Sequence, residues 1–574
     1  MRLPKLANIR STVRREAVSG RGINYTENTA DGDLADCRNL SARRWPCLAT
    51  RNRRRKEGKN AKTLSIYQWN GRVEIRMETP EPGPGEAALA WEVPCLYYRG
   101  AFVGALTEKE EETPGERRFA AVNTRLVIFP DKKLLDLSDG NRPRLEDMEV
   151  SLTTAAMTFR QGTGETVPEG GAPSARSTVT FTVDGDRTGA LRIGDGIEIS
   201  GIRGSLAENN RTVIIRELET ETVREGETVT GTVFTVAIRG TPFVTDTDGQ
   251  GGPAETVVTG ELRVERRIPD LDFICESGNR LWGCSNRTGT IYASVLGDPS
   301  NFYVYDGLST DGYALPVAGE GAFTGCCRLS SSLLFWKEDR LHKVIGDYPA
   351  EYVMYTYQLE GLRAGCHKSM QILNDVLFYV GLHGVFAYAG GTPADVSRAL
   401  GDHVLTEAAA GTDGETYYLS CLDNGTPAFY VYSPDREVWL KEDETWAADF
   451  VRDGTDVVFL DREGTVWLED AGEPEEELDW SLTFPPFRET PEGRKRLARL
   501  LIRAELPEGA WLEARVACDG GRAEPAGRIL GRGDDVSQLW IRPNRCDRFQ
   551  VTLSGHGPCV IRNVLREFTV GGPG

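Results

Sequence analysis

Histidine is scarce in this chain, with five copies in 574 residues, and the five share no metal-ligand spacing. They are His342, His367, His383, His403 and His556, and no H-E-x-x-H occurs among them. The twelve cysteines never form C-x-x-C, and Cys326 and Cys327 are adjacent, so the usual zinc spacings are excluded. The sequence also lacks a G-x-S-x-G elbow, a phosphate-binding loop and a dinucleotide fingerprint after a strand. No catalytic, cofactor-binding or metal-binding residue is therefore assigned, and no cofactor is expected. No run reaches about 18 apolar residues, so no membrane-spanning helix is expected. The basic start Met1-Arg2-Leu3-Pro4-Lys5 has no apolar stretch behind it, which argues against a secretory signal. Most cysteines sit in apolar runs such as Phe273-Ile274-Cys275, and reduced, buried thiols in a protein made in the cytosol are expected. Helical patterns are few, the best being 5–17 and 395–409.

What is present is a globular composition, 40% hydrophobic and 27% charged, long enough for several domains. With 63 glycines and 29 prolines, it favours strands and turns. The net charge of −19 is uneven: residues 1–60 carry 15 Lys/Arg against 6 Asp/Glu, or +9, leaving −28 for the rest. Such an acidic body argues against wrapping nucleic acid by phosphate neutralisation. The basic run Arg51-Asn52-Arg53-Arg54-Arg55-Lys56 reads either as a solvated or locally paired arm or as a contact with an acidic partner or a phosphate backbone through Arg51, Arg53, Arg54, Arg55 and Lys56.

Residues 268–470 hold 14 of the 18 tyrosines, and within them a pattern recurs. A strand of small residues or cysteine is followed by an aromatic strand and then another strand. The first strands begin near Ile274, Gly325, Gly365, Ala409 and Ala447, a spacing that fits four-stranded propeller blades. Small residues suit innermost strands, which crowd around an axis. Weaker candidates at Leu64–Tyr67, Cys95–Tyr98 and Leu126–Phe129 bring the expected ring to six to eight blades. Residues 147–267 interrupt the pattern, without Trp or Tyr but with alternating strands such as Ser177-Thr178-Val179-Thr180-Phe181-Thr182-Val183. They read as a modular inserted β-barrel or sandwich flanked by loops at 162–173 and 246–253. The predicted fold is all-β: a β-propeller with that insert and a C-terminal β-sandwich-like unit. The divisions are 1–60 (basic arm), 61–146 (first blades), 147–267 (insert), 268–470 (remaining blades) and 476–574 (C-terminal unit). A plain antiparallel sandwich is the competing architecture.

Propellers also host glycosidases, which need paired carboxylates. The best candidates are Asp298, Asp306 and Asp311, although Asp-Pro-Ser and Asp-Gly are ordinary turn chemistry. Arg532-Gly533-Asp534 has the form of an adhesion tripeptide, which a Gly-rich loop explains equally well.

The run Asn279-Arg280-Leu281-Trp282-Gly283, then Ile291-Tyr292-Ala293-Ser294, then Gly297-Asp298-Pro299-Ser300-Asn301-Phe302-Tyr303 resembles the tail nozzle (tail tubular) proteins of short-tailed bacteriophages. Asp31-Gly32-Asp33-Leu34-Ala35-Asp36-Cys37-Arg38-Asn39-Leu40 with Arg43-Arg44-Trp45-Pro46, and Arg542-Pro543-Asn544-Arg545-Cys546-Asp547-Arg548-Phe549, are similar to the two ends of the same proteins. The resemblance is discontinuous, spans about 400 residues and leaves out the insert. It implies a non-enzymatic virion tail protein, assembled in the bacterial host cytoplasm. Its partners would be further copies in a ring, a hexamer by resemblance, a tail adaptor protein and tail fibres. Viral DNA would pass through without sequence recognition. A related tail-tip position in long-tailed phages fits as well. The other readings are a glycan-active enzyme (depolymerase or glycosidase) and a host-receptor-binding tail protein that uses the insert.

Overall fold

The computed structural model describes residues 11–17, 20–57, 62–80, 89–107, 116–139, 142–161, 176–488, 494–542 and 545–570. The chain is all-β, and among the described residues its short helical turns are all 3₁₀. Among the described residues, seven four-stranded antiparallel sheets are its propeller blades. In chain order their first strands are Thr63–Trp69, Arg118–Val122, Phe273–Ser277, Gly325–Leu329, Gln371–Leu373, Leu405–Thr412 and Ala447–Asp453.

Two compact units make up the chain. One contains blades 2, 3 and 4 with the insert. Val122, Val127 and Phe129 of blade 2 pack on Leu271, Leu281 and Phe302 of the blade 3 region. Trp282 and Ile291 of blade 3 pack on Phe335 and Val344 of blade 4. Burial of this kind, at about 25 cal/mol per Å², is the main force joining neighbouring blades. The other unit contains blades 1, 5, 6 and 7 with the C-terminal sandwich. There Ala409 and Phe429 meet Ala447 and Phe459, and Ile66 enters a cluster with Val458, Leu460 and Leu468. Small residues on the first strands are a steric requirement: a Cβ on Gly411 would stand 2.7 Å from the Phe450 ring.

Blade 7 is completed from the other end of the chain. Its first three strands are Ala447–Asp453, Asp456–Asp461 and Val466–Leu468, and its fourth is Arg55–Glu57. Val466 pairs with Glu57 and Leu468 with Arg55. Where it is described, the basic segment 1–60 is thus locally paired and not a solvated arm. Asp36–Arg38 joins one sheet of the C-terminal sandwich, beside Asp479–Thr483. Ser11–Ala17 and Leu48–Thr50 pair with Val560–Val570 in the other sheet. Segments distant in sequence thus share ladders, and only tertiary folding makes those pairings.

The insert is one seven-stranded antiparallel sheet from Val150–Arg160 to Thr256–Arg266. Alternate side chains such as Met157, Phe159, Val179, Phe181, Phe234 and Val236 form a single core on one face. Its first and last strands pair with each other, Val150 opposite Arg266, so the chain leaves the propeller and returns at one point.

Further expectations are corrected. The helix expected over 395–409 is a 3₁₀ turn, Arg398–Leu400, leading into the strand Leu405–Thr412. Ala408, Ala409 and Ala410 favour a helix locally, but all three are buried in a blade, where packing overrides propensity. The helix expected over 5–17 is the strand Ser11–Ala17 where it is described, and 5–10 lie outside the described residues. Gly365-Cys366-His367 is not a first strand; His367–Ser369 is a 3₁₀ turn, and the strand follows at Gln371–Leu373. The three weak blade candidates fall in two blades, because Val93–Tyr98 is the third strand of the sheet that Thr63–Trp69 begins. The loop 162–173 and Pro543-Asn544 lie outside the described residues.

Candidate functional site

The basic run sits where the chain closes blade 7. Arg53 N–H donates to Glu473 O at 2.9 Å, and Arg53 O accepts Ala471 N–H at 3.0 Å. Arg51 Nη1 reaches Glu475 Oε2 at 2.8 Å, and Arg51 Nε donates to Asn39 Oδ1. The acidic stretch Glu473-Pro474-Glu475-Glu476-Glu477 thus meets the basic run inside one chain.

Arg54 is the centre of this closure. Its guanidinium donates to Glu469 Oε2 (2.7 Å), Asp443 Oδ2 (2.6 Å), Glu442 Oε2 (2.8 Å) and Thr445 Oγ1 (2.9 Å). The Arg54 side chain is only 8% exposed, and its Cζ lies 4.5 Å from the Phe429 ring centroid. The partner-contact role expected for Arg54 is corrected, because its charge is buried and matched within the fold. Arg51 is likewise mostly enclosed, with 11% of its side chain exposed. Arg53, Arg55 and Lys56 are exposed, and Arg55 pairs with Glu57 at 2.9 Å.

Three carboxylates around one guanidinium leave surplus negative charge in a buried space. Burial, and then the adjacent Glu469 carboxylate, push the Glu442 carboxyl well above the usual carboxylate range. Burial is the largest single influence on Asp443 and works to raise it, but Arg54, the hydrogen bonds from Thr445 and Arg51 together outweigh it and hold Asp443 below the usual range. Glu442 and Glu469 are hydrogen-bonded to each other and share one arginine. A glycosidase pair instead stands about 5–9 Å apart with room for sugar or water between, so these two are not arranged for that chemistry. Glu442, Asp443 and Glu469 carry no sequence motif. Their one signal is acidic residues at or just after the ends of strands that begin apolar, Val438–Asp443 and Val466–Leu468.

In the other unit, the run that begins at Asn279 builds blade 3. Asn279 takes a left-handed φ of 63° in the hairpin turn. Arg280, 1% exposed, donates from Nη1 to Ser294 O (2.8 Å) and to Asp311 O, and from Nη2 to Ser309 O (2.6 Å). Trp282 and Phe302 fill cores. Asp298 Oδ1 accepts Ser300 N–H and Oγ–H, closing an Asx turn. Asp311 Oδ2 accepts the N–H groups of Asp306 (2.5 Å) and Leu308 (3.0 Å), and Asp306 pairs with Arg216 of the insert. The three aspartates are turn formers and a tether.

Asn301 docks the insert. Its Nδ2 donates to Gly194 O at 2.9 Å, and its Oδ1 accepts Gly196 N–H at 3.2 Å. A Cβ on Gly196 would lie 2.4 Å from Tyr303 O, so only glycine permits this approach. Next to it, Asp195 and Arg266 form a buried ion pair at 2.9 Å.

The histidines are structural neighbours of acids and hydroxyls. His342 Nδ1 meets Thr356 Oγ1, His383 meets Glu360, and His556 meets Asp479. His403 Nδ1 lies 2.8 Å from Asp423 Oδ2, which also accepts Tyr430 Oη, and Tyr25 stacks on the imidazole. Among the described residues no hydroxyl or thiol pairs with His403 Nε2, so a nucleophilic triad is not assembled there. No cluster of three or more His, Cys, Asp or Glu that could hold a metal occurs among the described residues. Of the twelve cysteines none is in a disulfide; eight are buried and four half-buried.

No protein-family model matches the chain, and no curated protein sequence does. Among solved structures, it is similar to an exo-β-1,3-galactanase from Phanerochaete chrysosporium, at 8% identity over 56% of this chain and 98% of that one, with TM-score 0.20. BamB from Moraxella catarrhalis is 10% identical over 55% of this chain and 98% of its own, with TM-score 0.23. PorZ, a surface component of the type-IX secretion system of Porphyromonas gingivalis, is 11% identical over 94% of this chain and 81% of its own, with TM-score 0.25. Likenesses this slight carry no argument about activity.

Proposed function

We propose that the chain is a structural, non-enzymatic protein of a bacteriophage tail that assembles as a ring, a nozzle through which DNA leaves the particle. The observation that carries this reading is the blade 3 run. It resembles nozzle proteins in sequence, and in the structure its residues turn, pack and tether. Arg280 pins three carbonyls, Trp282 and Phe302 fill cores, and Asn301 holds the insert. In this reading the partners are further copies of the chain, a hexamer by resemblance, with the tail adaptor and tail fibres. Identical heterologous contacts close such a ring. Exposed Arg53, Arg55 and Lys56 offer a basic surface to it, and acidic side chains along a bore would keep DNA phosphates from sticking.

The test is electron microscopy of intact particles carrying a label on this chain. Label in a ring at the distal end of the tail is the expected result. Absence of the chain from purified particles, checked by mass spectrometry, would overturn the reading. The second reading, a glycan-recognising surface protein, has one specific observation in its favour, the tyrosine-lined groove described next.

A further inference from the structure

In the unit of blades 2 to 4, the loop before the last strand of blade 3 and the Tyr348-Pro349 turn of blade 4 border a groove of about 390 Å³. Its rims are apolar and open: Tyr305 is 54%, Leu308 56% and Tyr348 37% exposed. Large side chains so exposed on neighbouring segments form a patch of the kind that marks binding surfaces. The volume falls in the range of small-ligand sites, which are mainly apolar with a few placed polar groups.

The walls are held from behind. Buried Arg280 ties down the carbonyls of Ser309 and Asp311, and the Asp311 carboxylate takes the N–H groups of Asp306 and Leu308. A Cβ on Gly312 would lie 2.2 Å from Phe302 O, so the wall closes only with glycine there. The Tyr313 ring is fixed edge-on against Tyr352, centroids 5.0 Å apart, and against Trp282 at 6.2 Å. The groove is therefore preorganised, and a ligand would meet little ordering cost in it.

Charge decides what fits. The acidic group in the lining, Asp311, is occupied by backbone N–H groups, and no Lys or Arg lines the groove. An anion finds no basic side chain in the lining, and the nearby carboxylates are engaged, Asp311 by backbone N–H groups and Glu351 at the rim by the Tyr348 hydroxyl at 2.5 Å. Among the described residues the Tyr305 and Tyr313 hydroxyls have no protein hydrogen-bond partner. Flat rings beside open hydroxyls match a neutral ligand with C–H faces and a hydroxyl rim. We propose that this groove binds a neutral saccharide, one or two sugar rings stacking on Tyr305 and Tyr348. The inference does not depend on the ring assembly, since it concerns the isolated chain.

The experiment is calorimetric titration of the full chain with maltohexaose, cellohexaose and β-1,4-galactohexaose. At least one is expected to bind. Tyr305→Ala and Tyr348→Ala should each weaken that binding by about tenfold, and Tyr305→Phe by less. Trp540→Ala, at an exposed aromatic in the other unit, should leave it unchanged. Circular dichroism melting of each variant verifies folding; both tyrosines are exposed, so little change is expected. Failure of all three sugars, or binding indifferent to both tyrosines, overturns the proposal. So does self-association of the chain that the double variant abolishes in sedimentation, which would make the patch a protein contact. Particle microscopy reports on the nozzle reading separately, so either can fail alone.

Discussion

Asn301 holds the backbone of Gly196 through one hydrogen bond and, with its other amide atom, the carbonyl of Gly194 two residues earlier. A blade of the propeller thereby grips the turn of a module inserted between two blades. Asn301→Ala leaves the buried Gly196 N–H without that acceptor and should cost about 1–3 kcal/mol. Faster amide exchange confined to 193–197 and the 301–305 loop is the expected signature. Uniformly faster exchange throughout the chain would show that Asn301 supports the whole fold instead.

Arg54→Ala removes the cation that is hydrogen-bonded to all three carboxylates and should destabilise by about 3–5 kcal/mol. Denaturant titration measures it. Neutralising the exposed Arg53, Arg55 and Lys56 together should cost under about 1 kcal/mol. If those three meet a partner in the particle, that second variant should fold and yet enter particles poorly. Equal losses of stability in both variants would refute the distinction between buried and exposed members of the run.

The same cluster sets a pH dependence. Because the fold holds the Glu442 proton more tightly than the unfolded chain does, that contribution is complete below about pH 4.3, where the unfolded carboxyl is also protonated. It declines as pH rises towards the raised folded value. Asp443 acts oppositely, its contribution being lost as pH falls through its lowered value. Glu442→Gln imitates the protonated form. It should therefore remove the part of the stability loss that the parent shows as pH rises above the usual carboxylate range. Melting curves across pH decide this, and an alkaline slope unchanged from the parent would exclude Glu442 as its source.

Thiol chemistry gives another check. Burial pushes the Cys37 and Cys327 thiols up to about 12 and Cys95 up to about 11, so none is a ready thiolate near neutral pH. A thiol reagent should titrate at most the four half-buried cysteines of the folded chain quickly, and all twelve in denaturant. Intrachain disulfides detected by mass under non-reducing conditions would contradict this.

Replacing 150–266 with a short Gly-Ser link should leave a folded propeller, since Val150 and Arg266 are paired neighbours. The loop at Asp306 should loosen, because Arg216 leaves with the insert. Proteolysis newly directed at 301–312 is expected; an insoluble product would argue that the insert is integral to the fold.

Much of the fold was legible in the order of residues alone. Small first strands, aromatic second strands and turn residues recur because each blade repeats one local geometry, and the tyrosine-free stretch marked the insert by its different composition. The turn chemistry of Asp298 and Asp311 was an equally local matter. What tertiary structure decided was everything that depends on distant segments meeting. Arg54 reads as one member of a basic run, and only the pairing of Arg55–Glu57 with Val466–Leu468 carries it in among Glu442, Asp443 and Glu469. Alanines that suit a helix in isolation became a buried strand at Leu405–Thr412. The physical reason is the same in both cases: local propensity is worth a fraction of a kcal/mol per residue, whereas burial and charge pairing across the chain are worth several.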